Sequence, residues 1–486
     1  MAGSLTRILL AALMAALAVG CIKLGPDFKR PDPGAKIPAS YQSDTESTTE
    51  APLPVPEDRW WENFNNPEIN RLVELALDRN LDIQRATAFI QEMEARVTQI
   101  RADRFPFVGF QAQGAREQRS ETNYIPGSKI SFGGTTDSYS LSLPASFELD
   151  LWGKLARAEE ASRAQLLQAE ENRLTISQSV IAEAISLQLQ IEALERRIEI
   201  NKQSIKSYKR SARLVAARYE RGLSPVLDVR QARRTLARAE SQLPSLLQEL
   251  GGIQQRLAVL VGAYPKTAPP TLHPEDYYKP MAPVPPGLPS QLLLRRPDLR
   301  AAEASLKSLN ARIGVAKASR FPAISLTGSF GYSSTDLSEL LDARSQLWNL
   351  AMGITQPIFD AGKLKAGQRA AEAQYRQGVA EYAKTVLDAF SEVEGSLLTR
   401  KEQLARRERV LEFLEEARAA QTLAEKRYYR GLVDYLTVLS SQVTRYGAEE
   451  DLVLVDMAIL TNQVTLHRAL GGGWGSLPLP DEKNGE

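Results

Sequence analysis

The only cysteine of the 486-residue chain is Cys21, and the residues before it could direct its modification. They contain one arginine and then a 12-residue apolar run from Ile8 to Val19. This run is too short to span a bilayer and has the layout of a secretory signal peptide. The stretch LAVGC resembles a bacterial lipobox, although Ala18 stands where leucine is usual. We therefore predict a signal peptide over residues 1–20 and a covalent lipid on Cys21; a free thiol is the alternative.

Other residue types that commonly do chemistry are scarce. His273 and His467 are the only histidines, and without a second cysteine neither a Cys/His metal cluster nor a Cys/His nucleophile can form. No P-loop or dinucleotide-binding glycine pattern occurs, and GGGW at 471–474 follows a predicted helix instead of preceding one. We predict structural roles for both histidines, no enzyme activity, no metal and no cofactor.

The charge of the mature chain is balanced. Arg7 is the only charged residue in the predicted signal peptide, so its removal leaves 59 basic and 59 acidic residues. Nucleic-acid-binding proteins usually carry a basic surplus on at least one surface. The composition therefore predicts no nucleic-acid partner.

The two halves of the chain repeat the same signals. ARYERGLSPVLDV at 217–229 matches KRYYRGLVDYLTV at 426–438, 209 residues later, and RFP occurs at 104 and again at 320. A repeat of this length predicts two copies of one structural unit. We assign the chain to a signal peptide (1–20), a lipid-anchored extended segment (21–67), a first repeat (68–262), a Pro-rich connector (263–287), a second repeat (288–471) and a tail (472–486).

Long heptad patterns predict a helical hairpin in each repeat, at about 154–261 and 362–470. From Val180 to Tyr219 apolar residues recur at alternating steps of four and three, which is typical of coiled-coil packing; a solitary surface helix is the alternative. A helix from Lys154 to Arg221 would be roughly 100 Å long, and the helix returning from the turn at Gly222 only roughly 55 Å. We predict that the helix before RFP, over 70–104, stacks end to end with the returning helix to cover the long one.

Between RFP and the later GKL sequence, the apolar period changes to two residues in both repeats. SYSLSLPASFELDLWG alternates apolar with small or polar residues, and so do the segments that begin at Ile324 and Trp348. This alternation fits either outer-membrane barrel strands or the half-buried sheet of a soluble domain. Four strands per chain, within about 105–151 and 321–359, cannot close a membrane barrel. Insertion would therefore require several copies, and three copies would supply twelve strands.

With its parts in this order, the chain resembles the TolC-family outer-membrane efflux channels, in the lipoprotein branch that includes the NodT-type factors. The motifs that carry the resemblance lie between Cys21 and Trp474: WWENFNNPEINRLVELAL, LRRPDLRAAEASL, ARIGVAKASRFPAISLTGSFG, PIFDAGKL, KRYYRGLVDYLTVL and ALGGGW. The resemblance implies an α+β membrane protein that forms a homotrimer. Its 12-stranded outer-membrane β-barrel would continue into a long periplasmic α-helical coiled-coil barrel. The connector and the termini would form an equatorial region. The resemblance also implies passive efflux of drugs or other small molecules through the outer membrane, driven by an inner-membrane pump of the resistance-nodulation-division type through a periplasmic adaptor.

The same resemblance implies roles for the two hairpin ends. Their turns would dock the adaptor, through Arg221, Gly222, Leu223 and Ser224 in the first hairpin and Arg430, Gly431, Leu432 and Val433 in the second. In relatives an aspartate of the first hairpin hydrogen-bonds an aromatic or basic residue of the second to close the tube, and Asp228 and Tyr428 occupy those places. Thr437 and Ser440 stand where relatives often carry an acidic ring, and Asp434 is the nearest substitute. The alternative is that the two glycines only end helices and Asp434 only begins one.

Two other classes of protein share some of these features. A periplasmic adaptor lipoprotein also combines a lipidated cysteine with a long hairpin, but it would have one hairpin flanked by split lipoyl-like halves, so the duplicated strands argue against it. A structural coiled-coil lipoprotein would leave the membrane once its lipid was removed.

Overall fold

The structure is a computed structural model that describes residues 23–32, 34, 38, 40–42, 59–120, 134–270, 292 and 295–472. These residues fall into two compact units. The first unit takes the described parts of Met1–Pro33, Phe89–Ala169 and Ala301–Tyr382; the second takes those of Gly34–Ala88, Glu170–Arg300 and Ala383–Glu486. The predicted signal peptide, Cys21, His273, most of the connector and Trp474 lie outside the described residues.

The helices are α1 (Pro67–Arg79), α2 (Leu81–Ala102), α3 (Lys154–Glu220), α4 (Val226–Leu260), α5 (Pro297–Ala318), α6 (Lys363–Tyr429) and α7 (Tyr435–Ala469). The two long helices have the predicted extent, since α3 and α6 each contain 67 residues, or roughly 100 Å. In the part of the chain that the structure describes, no helix combines the length and the apolar character needed to cross a membrane.

The predicted heptad seam of α3 is buried against α4 in the second unit. Val180, Leu187 and Ile198 share one core cluster with Leu246 and Leu250 of α4, and the seam stays buried or partly buried as far as Val215. This confirms coiled-coil packing over most of the seam. The prediction was wrong at its last position: Tyr219 is 47% exposed, because α3 ends one residue later and α4 begins only after the turn.

The single helix predicted over 70–104 is wrong, because the chain breaks at Asn80 into α1 and α2. The Asn80 backbone is extended, with φ −64° and ψ 128°. Its Oδ1 accepts hydrogen bonds from the backbone N–H groups of Asp82 (2.9 Å) and Ile83 (3.1 Å), which caps α2. Its Nδ2 donates to the Leu260 carbonyl at 2.9 Å. The end of α4 therefore meets the start of α2, as the end-to-end prediction requires.

The segment that follows Cys21 is held against α3 and α5 in the first unit. The Leu24 N–H donates to the Trp152 carbonyl at 3.1 Å, and Nε of the almost fully buried Arg157 donates to the Leu24 carbonyl at 3.2 Å. Gly25, with φ +100°, approaches Gly314 of α5 so closely that a Cβ on either glycine would clash with backbone. These contacts fix the chain three to four residues beyond the predicted lipidation site.

The strands form one antiparallel sheet in the first unit. β1 (Phe107–Val108) and β2 (Gln111–Arg119) both pair with β3 (Gly134–Leu149), β3 pairs with β4 (Ala323–Ser334), and β4 pairs with β5 (Gln346–Thr355). Because β1 and β2 follow each other along the same edge of β3, they occupy one interrupted strand position. The sheet therefore has four positions, two from each repeat, as the sequence predicted.

The register of this sheet places the predicted apolar residues on one face. Directly opposed residues of an antiparallel pair share a face. One row contains Leu143, Phe330 and Trp348, and another contains Phe147, Leu326 and Met352. Rows of the other face contain small or polar residues, such as Ser146, Thr327 and Ala351. The alternation read from the sequence is confirmed.

The apolar face of the sheet remains open in the described part of the single chain. Trp348 is 73% exposed and Leu350 is 69% exposed, and the neighbouring Met352 and Ile354 are also exposed. A soluble domain would bury such a face against its own core. Contiguous exposed apolar surface marks contact with lipid or with another protein.

Candidate functional site: the ends of the two hairpins

The two glycine turns have the same local structure. Gly222 (φ +72°) donates to the Tyr219 carbonyl at 2.8 Å, and Leu223 donates to the Arg218 carbonyl at 2.8 Å. Gly431 (φ +71°) and Leu432 make the equivalent pair of hydrogen bonds, to Tyr428 and Arg427. This is the Schellman pattern, in which glycine adopts the left-handed conformation that other residues avoid. The predicted helix-ending role of both glycines is confirmed.

Several side chains of the two turns are open to solvent. Arg221, Gly222, Leu223, Arg430, Gly431 and Leu432 are exposed, whereas Ser224 and Val433 are partly buried. Exposed leucine beside exposed arginine at each turn offers an apolar contact with a cationic rim. All eight residues to which the resemblance assigned docking lie at the hairpin ends, and six of them are accessible.

Asp434 caps the start of α7. Its Oδ1 accepts hydrogen bonds from the Thr437 backbone N–H (3.0 Å) and from the Thr437 Oγ1 (2.6 Å). These hydrogen bonds hold the pKa of the exposed Asp434 carboxyl below its usual value. Asp434, Thr437 and Ser440 also line one open groove along α6 and α7. The structure thus brings the three residues together and gives Asp434 the helix-start role that the sequence offered as the alternative.

Asp228 and Tyr428 do not bond to each other in the single chain. The Asp228 Oδ2 accepts a hydrogen bond from the Ser224 Oγ at 2.8 Å, at the start of α4. The Tyr428 side chain is 5% exposed, and its hydroxyl has no hydrogen-bond partner among the described residues. The two residues therefore lie at the same end of the hairpins without the contact that the resemblance implies.

A compact apolar cluster joins all four helices at this end; we call it the tip cluster. It contains one residue of α3, two of α4, two of α6 and three of α7: Val215, Val229, Ala232, Ala424, Tyr428, Tyr435, Val438 and Leu439. The Tyr428 and Tyr435 rings lie 5.9 Å apart, and burial raises the pKa of Tyr435 to about 12. Arg218 of α3 covers the Tyr428 ring, with Cζ 4.8 Å from its centroid.

A buried polar contact lies next to the tip cluster. Gln442 of α7 donates from Nε2 to the Glu425 carboxylate of α6 (3.0 Å) and to the Ser211 hydroxyl of α3 (3.2 Å). Gln442 is almost fully buried, so losing either acceptor would leave polar atoms without partners. Gln442 therefore fixes the register of α7 against the first hairpin.

His467 lies away from the hairpin ends and packs on an aromatic side chain. Its ring stacks on Trp60 with centroids 4.5 Å apart, and burial lowers its pKa to about 4. The imidazole is therefore uncharged near neutral pH, which fits the structural role predicted for it.

Sequence reasoning missed Arg218, Gln442 and Glu425. Arg218 and Gln442 make contacts between the two hairpins, and Glu425 of α6 makes its contact with Gln442 of α7. A pattern within one helix carries no signal for contacts between helices. The repeat itself was the one usable signal, because it aligns Arg218 with Arg427 and Tyr219 with Tyr428, but it cannot show which member of each pair is buried.

Comparison with known proteins gives a consistent result over both repeats. The profile of a family described as outer membrane efflux protein matches residues 72–263 and 288–472. The pyoverdine export outer membrane protein OpmQ of Pseudomonas putida is 32% identical over 447 residues, which cover 91% of this chain and 93% of OpmQ. The probable outer membrane lipoprotein SilC of Salmonella typhimurium is 30% identical over 462 residues, covering 94% of this chain and 97% of SilC. The solved outer-membrane channel OprN superposes with a TM-score of 0.85 at 29% identity, covering 93% of this chain and 99% of OprN.

Proposed function

The chain belongs to the outer membrane efflux protein family, and from this membership we propose that it is the passive exit duct of a tripartite efflux system. The family is one of outer-membrane transport channels and not of enzymes. Membership over both repeats excludes the adaptor and the structural coiled-coil lipoprotein as alternatives. The proposed cargo is a drug or another small molecule, received from an inner-membrane pump of the resistance-nodulation-division type through a periplasmic adaptor.

The observation that carries this proposal is the sheet with one open apolar face. Its four strand positions leave two outer edges, and an unpaired edge is untenable in lipid because backbone N–H and C=O groups lose their hydrogen bonds. Closure therefore requires strands from other copies of the chain. Membrane barrels begin at eight strands; the resemblance implies three copies, which supply twelve. We propose this homotrimeric 12-stranded barrel, continuing into a periplasmic α-helical barrel.

A lipid on Cys21 fits the same membrane surface. Leu24 is bonded to Trp152, which lies three residues after the end of β3. Three residues of chain span at most roughly 11 Å, so a lipid on Cys21 would begin close to that end of the sheet. Anchor and strands would then enter the same bilayer. We also propose the division into signal peptide, anchored segment, two repeats, connector and tail.

The two hairpin ends would form the periplasmic end of the duct. Asp228, Tyr428, Asp434, Thr437 and Ser440 are proposed as the gate, and the exposed residues of the two glycine turns as the adaptor-docking surface. A trimer would present six such turns in a ring. Asp434 already accepts hydrogen bonds from Thr437 at the start of α7. An acidic ring made of Asp434 from three chains would therefore use carboxylates that also cap α7.

Replacing Cys21 with serine tests the barrel independently of the lipid. The variant should stay mainly in the outer-membrane fraction, because closed strands hold a protein in lipid without help from an acyl chain. Membrane fractionation and washing at high pH measure the distribution. The matched control carries Cys21→Ser together with Leu350→Arg. This double variant should no longer be recovered in the outer-membrane fraction. Recovery of the single variant as a soluble periplasmic protein would contradict the barrel.

A further inference from the structure

Tyr428 is placed where the second hairpin touches the first. It belongs to α6, yet its ring lies under Arg218 of α3, with the guanidinium carbon 4.8 Å from the ring centroid. Arg218 belongs to the first hairpin and lies one helical turn before Gly222. A cation within about 6 Å of a tyrosine ring is attracted by the negative face of the ring, and more strongly where water is excluded.

The hydroxyl of Tyr428 does not carry this contact. It is fully buried within the single chain and has no hydrogen-bond partner in the described residues. A group that is already closed off in one chain cannot be reached by a neighbouring copy unless the packing rearranges. Asp228 is bonded to Ser224 instead. The ring of Tyr428, and not its hydroxyl, therefore connects the hairpins.

Arg218 has no other charged partner in the part of the chain that the structure describes. No carboxylate there forms an ion pair with it, and its Nε is buried without a hydrogen bond. A partly buried cation is unfavourable unless something stabilises its charge. The ring face of Tyr428 supplies that stabilisation, so separating the hairpins would deprive Arg218 of its partner.

Within the described residues, this contact joins Arg218 to Tyr428 and does not join the two positions that the internal repeat aligns with them. The offset of 209 residues aligns Arg218 with Arg427 and Tyr428 with Tyr219. Arg427 and Tyr219 are both exposed, whereas Tyr428 is buried. The pair Arg218 and Tyr428 is thus specific to the junction between the hairpins, and Arg427 with Tyr219 provides matched control positions.

We propose that Arg218 is a positioning residue of the closed duct: its guanidinium holds the Tyr428 ring, and through it α6, against α3. In a trimer three such contacts would resist separation of the hairpin ends. The inference rests on the proposed function as a duct closed at this end. It differs from the gate implied by the resemblance, because it assigns closure to a cation on an aromatic ring and not to a hydrogen bond of the tyrosine hydroxyl.

Single-channel recording of the purified lipidated protein in a planar bilayer tests the proposal. Arg218→Gln and Tyr428→Leu should each raise the mean conductance about tenfold or more over the wild-type value, since three contacts are lost together. Arg218→Lys keeps a cation and Tyr428→Phe keeps the ring, so each should raise it by no more than about twofold. Arg427→Gln and Tyr219→Leu should leave it unchanged.

The outcomes separate the contact from the function. The proposal is overturned if Tyr428→Phe raises the mean conductance as much as Arg218→Gln does, or if Arg218→Gln has the wild-type conductance. Neither result would contradict the proposed function as a duct. If no variant ever conducts although assembled protein is present in the bilayer, the proposed duct fails, and the inference with it. Thermal unfolding of the purified assemblies accompanies the recordings. If Arg218→Gln and Arg218→Lys both fail to assemble, Arg218 is needed for folding and not for closing the duct. This result would also overturn the proposal.

Discussion

Arginine in place of Leu350 should sharply reduce the amount of assembled protein in the outer membrane, whereas arginine at the neighbouring Ala351 should leave it near the wild-type level. Leu350 lies on the open apolar face of β5 and is 69% exposed in the single chain. Ala351 lies on the other face, opposite Thr327. A cation near the middle of the hydrocarbon costs roughly 2–4 kcal/mol, whereas a barrel interior is polar and accepts charge.

Heat-modifiable gel migration and quantification of the outer-membrane fraction measure this difference. The first repeat offers an independent pair, because Leu143 and Ser142 occupy opposite faces of β3. Leu143→Arg should behave like Leu350→Arg, and Ser142→Arg like Ala351→Arg. Equal yields for the apolar-face and polar-face variants in both repeats would show that the open face does not meet lipid.

Alanine in place of Gly331 should destabilise the sheet strongly, although it adds only one methyl group. Gly331 lies in β4 opposite Ser142 of β3, so it belongs to the pairing that joins the strands of the two repeats. A Cβ at this position would overlap the backbone carbonyl of Leu141. Overpacking typically costs about 1–3 kcal/mol, and we expect the upper end of that range because the obstacle is backbone and cannot rotate away.

Gly353 provides the matched control within the same sheet. A Cβ there would meet the Ser325 Oγ at 3.2 Å, and a serine side chain can change its rotamer. Thermal unfolding of the purified assembly should therefore show a large drop in Tm for Gly331→Ala and a small one for Gly353→Ala. Similar Tm values for the two variants would contradict the close approach of β3 and β4 at Gly331.

Most of the regular structure could be predicted because it depends on periodicity along the chain. The heptad pattern predicted the packed side of α3 from Val180 onward, and the period of two predicted the face of each strand residue, because both patterns reflect which side is buried. The break at Asn80 was not predicted. Asparagine fits a polar position of an amphipathic helix as well as it fits a helix cap, and only the structure, in which its Oδ1 caps α2, distinguishes the two.

The candidate site was predictable only where its geometry is local. Gly222 and Gly431 could be assigned to turns because the left-handed conformation favours glycine. The contact between Arg218 and Tyr428 depends on how two helices far apart in sequence pack together. The repeat makes the Arg218 and Arg427 positions look alike, although the structure gives their side chains different surroundings. Gln442 was missed for the same reason: a glutamine within a helix is usually a solvent-facing residue.

A cryo-electron microscopy map of the lipidated wild-type protein in a lipid nanodisc would test the trimeric duct most directly. We predict a threefold particle in which each chain adds four strand positions to one closed 12-stranded barrel with its apolar face in the lipid. The pore should be narrowest at the hairpin ends that carry Gly222 and Gly431. A particle with another number of chains in the barrel, or with the sheet outside the lipid, would contradict the account.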